Sequence, residues 1–349
     1  MRLMYMRLDN IYEGLEHLAQ FVYREVATTL FHPASTLSVG SLLAALAIAT
    51  LWLCRRHIRF GRDMRLKALR RLLFPRRWLL ARSASLDVRL MLMNTFVFGT
   101  LLASAMISHS VVSGGTRTLL VNAFGTPEPA PVPAILATVL LTIALFLAYE
   151  LAFWIIHYLS HTVPFLWQLH KVHHSAEVLT PLTVARVHPI EGLLFFNTIA
   201  LFLGVTDGSV RWSLGQSPEI FTIGNANALV VICTYLIAHL QHTHVWIAFT
   251  GPLGRLFISP AHHQIHHSTN PIHFDKNMGG TLAIWDWMFG TLHIPEKKRE
   301  RLTFGIGDGE VTEHTLAQEL MRPVVAIGHE ARRLANGAGR KESQGSASN

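Results

Sequence analysis

Only two cysteines, Cys54 and Cys233, occur in 349 residues, and both fall in or beside apolar segments. A disulfide framework and a cysteine-ligated metal site are therefore excluded. Charge is scarce as well: 15% of residues are charged against 50% hydrophobic, a composition foreign to soluble domains. The first 31 residues have no long apolar core, because Arg2, Arg7, Asp9, Glu13, Glu16, Arg24 and Glu25 interrupt them, so no secretory signal is expected. Also missing are a glycine-rich dinucleotide fingerprint, a His-Pro-Gly-Gly haem motif and the H-E-x-x-H pattern of zinc peptidases. Electrons for any redox chemistry must come from outside the chain.

What is present begins with uncharged runs. Residues 36–54, 90–116 and 129–149 each reach or approach the roughly 20 residues that cross a bilayer. Of the thirty lysines and arginines, eleven lie between Arg55 and Arg82, directly after the first run. The formal charge of +8 is thus read as positive-inside bias beside anionic headgroups, and no nucleic-acid partner is expected. Ile11, Leu15, Leu18, Val22 and Val26 form a helical stripe, which predicts an interfacial amphipathic helix over 1–35. Spans are expected at 36–54, 90–112 and 134–156, with a proline-rich loop over 113–132 on the far side. Residues 192–205 and 220–238, joined by a polar loop at 207–219, read as an in-and-out hairpin, the first half short for a span. From Gln241 the chain reads as a cytoplasmic cap, followed by a helix over 312–334 and a disordered tail over 337–349.

Histidine is the anomaly: 21 in all, thirteen of them between His157 and His267. Three clusters repeat spacings of three and four, namely His157 and His161; His170, His173 and His174; His263, His266 and His267. Such spacings put imidazoles on one helical face, where several can converge on one ion. Eight imidazoles exceed what one ion accepts, so two metals are implied. Imidazole suits zinc, iron, copper and nickel alike. Structural zinc needs only four ligands, often cysteine, so iron-based oxygen chemistry fits better.

The text around these clusters is extensive. Glu150 precedes His157-x-x-x-His161. Then follow Trp167-x-x-His170-Lys171-x-His173-His174-Ser175, Arg186-x-His188-Pro189-x-Glu191, Gln241-His242-Thr243, Ser259-Pro260, His263-x-x-His266-His267-Ser268, Asp275-x-Asn277-x-Gly279 and Trp285-Asp286-x-x-Phe289-Gly290-Thr291. On these residues the chain resembles the fatty acid hydroxylase superfamily, which includes sterol desaturases, sterol C-4 methyl oxidases and alkylglycerol monooxygenase. The resemblance covers about 147–304 and implies an all-α integral membrane protein, a helical transmembrane bundle with a cytoplasmic histidine-rich di-metal cap. It divides the chain into 1–35, a membrane region over 36–140, a catalytic domain over 141–305 and a C-terminal helix and tail over 306–349.

Carried over by position, the eight clustered histidines are metal ligands of a di-iron pair and His242 is a ninth. His188 and His239 are further candidates, whereas His244 and His262 are left out. Glu191 and Asp275 are expected to receive ring hydrogens from bound histidines. Asp286 is expected to order the cap, and Trp154, Trp167, Trp285, Trp287 and Phe289 to belong to the interfacial belt. Tyr158 and Thr162 depart from the pattern: many relatives carry Arg at the first position, and the alkylglycerol monooxygenases an acidic residue at the second, which points away from that activity.

The implied reaction is hydroxylation of a lipid C–H bond with two Fe ions, O2 as co-substrate and an external electron donor of cytochrome or ferredoxin type. A lipid or sterol desaturase is the alternative within the same site. A membrane metal transporter or sensor is the rival from another class, and it requires ligands strung across the bilayer. The expected location is the bacterial inner membrane, or else the endoplasmic reticulum, with the site on the cytoplasmic side.

Overall fold

A computed structural model describes residues 2–59, 61, 65–307 and 315–345. Helices α1 (Arg2–Phe31) and α2 (Val39–Arg59) are followed by two short basic helices, α3 (Leu66–Leu73) and α4 (Arg76–Leu80). Next come α5 (Arg82–Met93), a π-helical turn at Asn94–Phe98, α6 (Gly99–Leu101) and α7 (His109–Phe124). The long helices α8 (Ala134–Thr162) and α10 (Pro189–Leu214) flank the shorter α9 (Pro164–His174). A two-residue hairpin, β1 (Thr222–Ile223) with β2 (Ala226–Asn227), leads into α11 (Ala228–Cys233), a π-helical turn at Thr234–Ala238 and α12 (His239–Gln241). The cap consists of α13 (Gly251–Leu256), α14 (Pro260–His266) and α15 (Ile284–Phe289), and α16 (Leu316–Gly345) closes the chain.

Among the described residues, α2, α8 and α10 are long and apolar enough to cross a membrane. Helix α8 shows how one sequence serves two neighbours. Ala137, Leu141, Leu145, Ala148, Ala152 and Ile156 recur every three or four residues and are buried, while Leu136, Leu140, Ile143 and Leu147 are exposed large apolar side chains. The first stripe packs inward and the second meets hydrocarbon.

Three expectations need correction. The run at 90–112 is not one straight span: the segment Arg82–Leu101 and the segment Ala103–Phe124 meet at 64°. The π-helical turn and Gly99 loosen the ladder there, and the helix resumes at His109 and covers part of the supposed proline loop. The segment at 192–205 is not short either, because α10 continues through the supposed polar loop to Leu214. Its charges are neutralised within the fold: Arg211 Nε donates to Asp207 Oδ1 at 2.8 Å, and Ser113 Oγ donates to Asp207 Oδ2 at 2.6 Å. Lastly, α16 runs to Gly345, past the expected start of the tail, since Ala, Arg, Lys, Glu and Gln in that stretch favour helix. Residues 308–314 and 346–349, on which parts of the helix and tail readings fall, lie outside the described residues.

Helices α7 and α10 approach closely because Gly204 and Gly208 face α7. A Cβ at Gly204 would stand 2.7 Å from the His109 carbonyl oxygen, and one at Gly208 2.5 Å from that of Ser113. This is the small-x-x-x-small packing of membrane helices. Gly208→Leu is expected to cost about 1–3 kcal/mol by overpacking, read as a lower thermal midpoint in detergent. Gly114→Ala, whose added methyl meets nothing within 4 Å, should leave the midpoint unchanged or slightly raised.

Candidate metal centre

The C-terminal end of α8 carries His157 and His161 on one face, one helical turn apart. Val163 is extended, and Pro164 opens α9, so the chain turns at once and presents His170, His173 and His174 to the same point. Helix α14 is short and starts at a capping box: Ser259 Oγ accepts the His262 N–H, and His262 Nδ1 accepts the Ser259 N–H. His262 is thereby a structural residue, and His263, His266 and His267 point into the centre. The π-helical turn leads into α12, which ends in a non-helical His242 whose ring lies beside His173 and His263.

Two sets of nitrogens result. His157, His161, His170, His174 and His266 form one, and His173, His242, His263 and His267 form the other, with ligand atoms within 4.8 Å of one another in each set. Within the first, His170 Nε2 lies 3.2 Å from His157 Nε2 and 3.1 Å from His174 Nε2. In the second, His242 Nε2 lies 3.2 Å from His173 Nε2 and 2.9 Å from His263 Nε2.

The outer nitrogens decide what these contacts are. His157 Nδ1 donates to the Met278 carbonyl at 2.7 Å, His266 Nδ1 to that of Lys276 at 2.8 Å and His173 Nδ1 to that of Arg186 at 3.2 Å. His170 Nδ1 shares a proton with Glu191 Oε1, and His161 Nδ1 stands 3.4 Å from Asp275 Oδ1. Carbonyls only accept, so on His157, His173 and His266 the ring proton sits on Nδ1 and the inward Nε2 is a bare lone pair. Two lone pairs cannot hydrogen-bond each other, and His161 Nε2 and His266 Nε2 are buried with no hydrogen-bond partner. The donor set fits cations at the two foci.

Electrostatics agree. Burial, and after it the neighbouring imidazoles, holds His170, His174, His263, His266 and His267 well below the ordinary histidine range. Burial and then His239 and His266 bring His242 down to about 3. All are neutral at pH 7, the form that ligates metal.

A loop of the cap supports this arrangement. Asp286 Oδ1 accepts the Met278 N–H and Oδ2 the Gly279 N–H, both at 2.8 Å, while Glu150 Oε2 accepts the N–H groups of Thr281 and Leu282, also at 2.8 Å. Asp275 and Asn277 adopt left-handed backbone, with φ of 56° and 59°, which turns the loop so that the Lys276 and Met278 carbonyls reach two histidines. Beside the centre is a cavity of about 320 Å³, lined by His157, His170, His173, His242 and His263 and by Phe153, Val187, Phe195, Val230 and Ile237.

Residues 142–291 match the family model described as fatty acid hydroxylase. This stretch is a fatty acid hydroxylase family domain. Similar proteins include alkylglycerol monooxygenase of Caenorhabditis elegans, 31% identical over 45% of this chain and 27% of that protein. Ornithine lipid hydroxylase OlsE of Rhizobium tropici is 31% identical over 46% of this chain and 44% of its own length. A putative Delta(7)-sterol-C5(6)-desaturase 2 of Arabidopsis thaliana is 29% identical over 42% and 45%. The match therefore spans less than half the length of each of these relatives. No solved structure matches the chain.

In this fatty acid hydroxylase domain the nine expected histidines come together, whereas His188 and His239 stand outside both sets. His188 Nδ1 accepts the Ile190 N–H as the cap of α10, and Nε2 donates to the Leu320 carbonyl. His239 has its ring nitrogens against the carbonyls of Pro181 and Thr36, at 3.1 and 2.5 Å. Trp154 is no belt residue: it is buried, and its Nε1 donates to Asp286 Oδ1 at 3.1 Å. Tyr158 stacks on it with rings 5.1 Å apart.

Asp87 was not foreseen. Its Oδ1 takes Arg186 Nη1 at 3.0 Å and its Oδ2 the hydroxyls of Thr180 and Thr183 at 3.0 and 2.8 Å, both ions being fully buried. Arg186 Nε donates to the Val172 carbonyl at 2.9 Å, at the end of α9 where a cation is favoured, and its own carbonyl holds His173. Asp87→Leu strands a buried guanidinium and is expected to destabilise by about 3–5 kcal/mol. Asp87→Leu with Arg186→Met should recover much of that loss, as measured by denaturation in detergent.

Proposed function

We propose that the protein is a membrane di-iron oxygenase that hydroxylates a C–H bond of a lipid with dioxygen and electrons from a separate cytochrome or ferredoxin-type donor. The observation that carries this reading is the pair of buried histidine sets gathered about two foci beside a cavity of about 320 Å³ that Phe153, Val187, Phe195, Val230 and Ile237 line with apolar side chains. Neutral nitrogen donors enough for two ions suit iron among the oxygen-activating metals, and the names of the similar proteins are those of lipid-modifying enzymes.

In this reading His157, His161, His170, His174 and His266 hold one ion and His173, His242, His263 and His267 the other. When bound, the two irons supply the oxygen-activating chemistry. Glu191 and Asp275, with the carbonyls of Met278, Lys276 and Arg186, fix the tautomers and strengthen the donors. Phe153, Val187, Phe195 and Ile237 exclude water and align a hydrocarbon chain against His157, His170 and His242. Desaturation is the second reading, favoured by the name of the Arabidopsis relative. Transport is disfavoured because the nitrogens gather in one centre instead of along a path.

The cytoplasmic side is supported by charge. Leu72, inside the basic stretch, gives its carbonyl to His244 Nε2 at 2.5 Å, and Arg71 and Arg299 border one cavity with His244, so both basic segments flank the centre. The opposite ends of α7 and α8 join through residues 125–133, whose one charge is Glu128. The membrane proposed is the bacterial inner membrane, where the Rhizobium relative offers a bacterial counterpart, with the endoplasmic reticulum as the alternative.

Anaerobically purified protein is expected to hold about two irons per chain, and His263→Ala with His266→Ala, one ligand from each set, to lose them. Whole-cell lipid mass spectrometry should show a species heavier by one oxygen with the wild type only; loss of two hydrogens would mark desaturation. Absence of metal together with unchanged lipids overturns the reading, and metal uptake into sealed vesicles without oxidised lipid favours transport.

A further inference from the structure

The cavity beside the histidines is not wholly hydrocarbon. Tyr149 and Glu150 line it with Cys233 and Thr281, about 10 Å from His157 along α8. Ionisable side chains within an apolar spanning helix are costly to bury and usually serve function. Glu150 is fixed in place, since both backbone N–H bonds from Thr281 and Leu282 fall on Oε2. Tyr149 differs. Its hydroxyl makes no hydrogen bond to any described residue, although the side chain is half-buried and borders the cavity. A phenol so placed gains from a ligand that brings its own polar group.

We infer that Tyr149 and Glu150 form a polar subsite that takes a hydroxyl group of the lipid, about 10 Å from the carbon that meets the metal centre. The inference rests on the reading of this cavity as the lipid site. A hydroxyl is the group that satisfies both partners: it donates to the Glu150 carboxyl and accepts from the Tyr149 O–H. A methyl end satisfies neither. A carboxylate only accepts and brings a charge into a cavity lined largely by apolar side chains. The lipid is accordingly an alcohol, not a free fatty acid or a plain hydrocarbon, and the distance from its hydroxyl selects the carbon presented for oxidation.

The test is competition against radiolabelled 1-hexadecanol on the full-length protein in detergent, with unlabelled 1-hexadecanol, hexadecane and palmitate. The alcohol is expected to displace label at about tenfold lower concentration than hexadecane, the worth of one hydrogen-bonded group, with palmitate no better than the hydrocarbon. Tyr149→Phe should bring the alcohol close to the hydrocarbon while metal content stays at the wild-type level. Equal displacement by alcohol and hydrocarbon in the wild type, or an alcohol preference that persists in Tyr149→Phe, overturns the inference. The two readings fail separately. Alcohol preference in a protein that yields no oxidised lipid would sink the hydroxylase and leave the subsite, and oxidised lipid from a chain indifferent to the hydroxyl would do the reverse.

Discussion

Neutral imidazole nitrogens crowded to about 3 Å from one another and buried away from water are costly to assemble without a cation among them. Everything near the centre serves to hold that unfavourable grouping in place. For five rings the holding is done from outside: carbonyls or carboxylates meet Nδ1 of His157, His161, His170, His173 and His266. The arrangement is selective for cations because neutral, desolvated rings have given up the alternative of carrying protons themselves.

The irregularities of the backbone follow from this demand. A continuous helix supplies donors on one face, but nine donors around two foci need several chain segments arriving from different directions. Hence the immediate turn at Val163 and Pro164, the π-helical turn before His242 and the left-handed Asp275 and Asn277. The loop after Asn277 leaves backbone N–H groups to be satisfied, and buried carboxylates do so: Asp286 and Glu150 together take four from residues 278–282. Gln241 Nε2 adds a bond to the Gly280 carbonyl at 2.7 Å and ties the loop to the segment that carries His242.

The histidines were legible because helical spacing converts directly into a shared face, and the spacing survives whatever the rest of the fold does. Their orienting carbonyls were not, since any residue has one and only backbone conformation aims it. Glu191 could be read, lying two residues from a histidine-proline pair, whereas Asp87 looked like an ordinary charge before an apolar run. Asp207 and Arg211 misled for a related reason. In sequence they resemble a solvated loop, and only the position of Ser113 on another helix shows that their charges are met inside. The straight span expected at 90–112 failed because apolar composition reports thickness and says nothing of direction, which Gly99 and the π-helical turn change.

Motif content begins near residue 142, but packing does not. The face of α2 made by Ala45 and Ala49 lies against Leu240, Val245 and Ile247, the stretch that contains His242. Leu86 and Leu90 of α5 pack with Val172 of α9, beside His173, and Leu316 and Leu320 of α16 cover the same cluster. Ser175 Oγ reaches Glu319 of α16 at 3.3 Å and Arg186 at 2.8 Å, so the C-terminal helix joins the buried network that steadies His173. Segments that carry no histidine of either set thus fix the angles at which the histidines meet. The geometry of the histidine centre belongs to the chain from α2 to α16, and substitutions in the matched segment alone do not exhaust the ways of altering it.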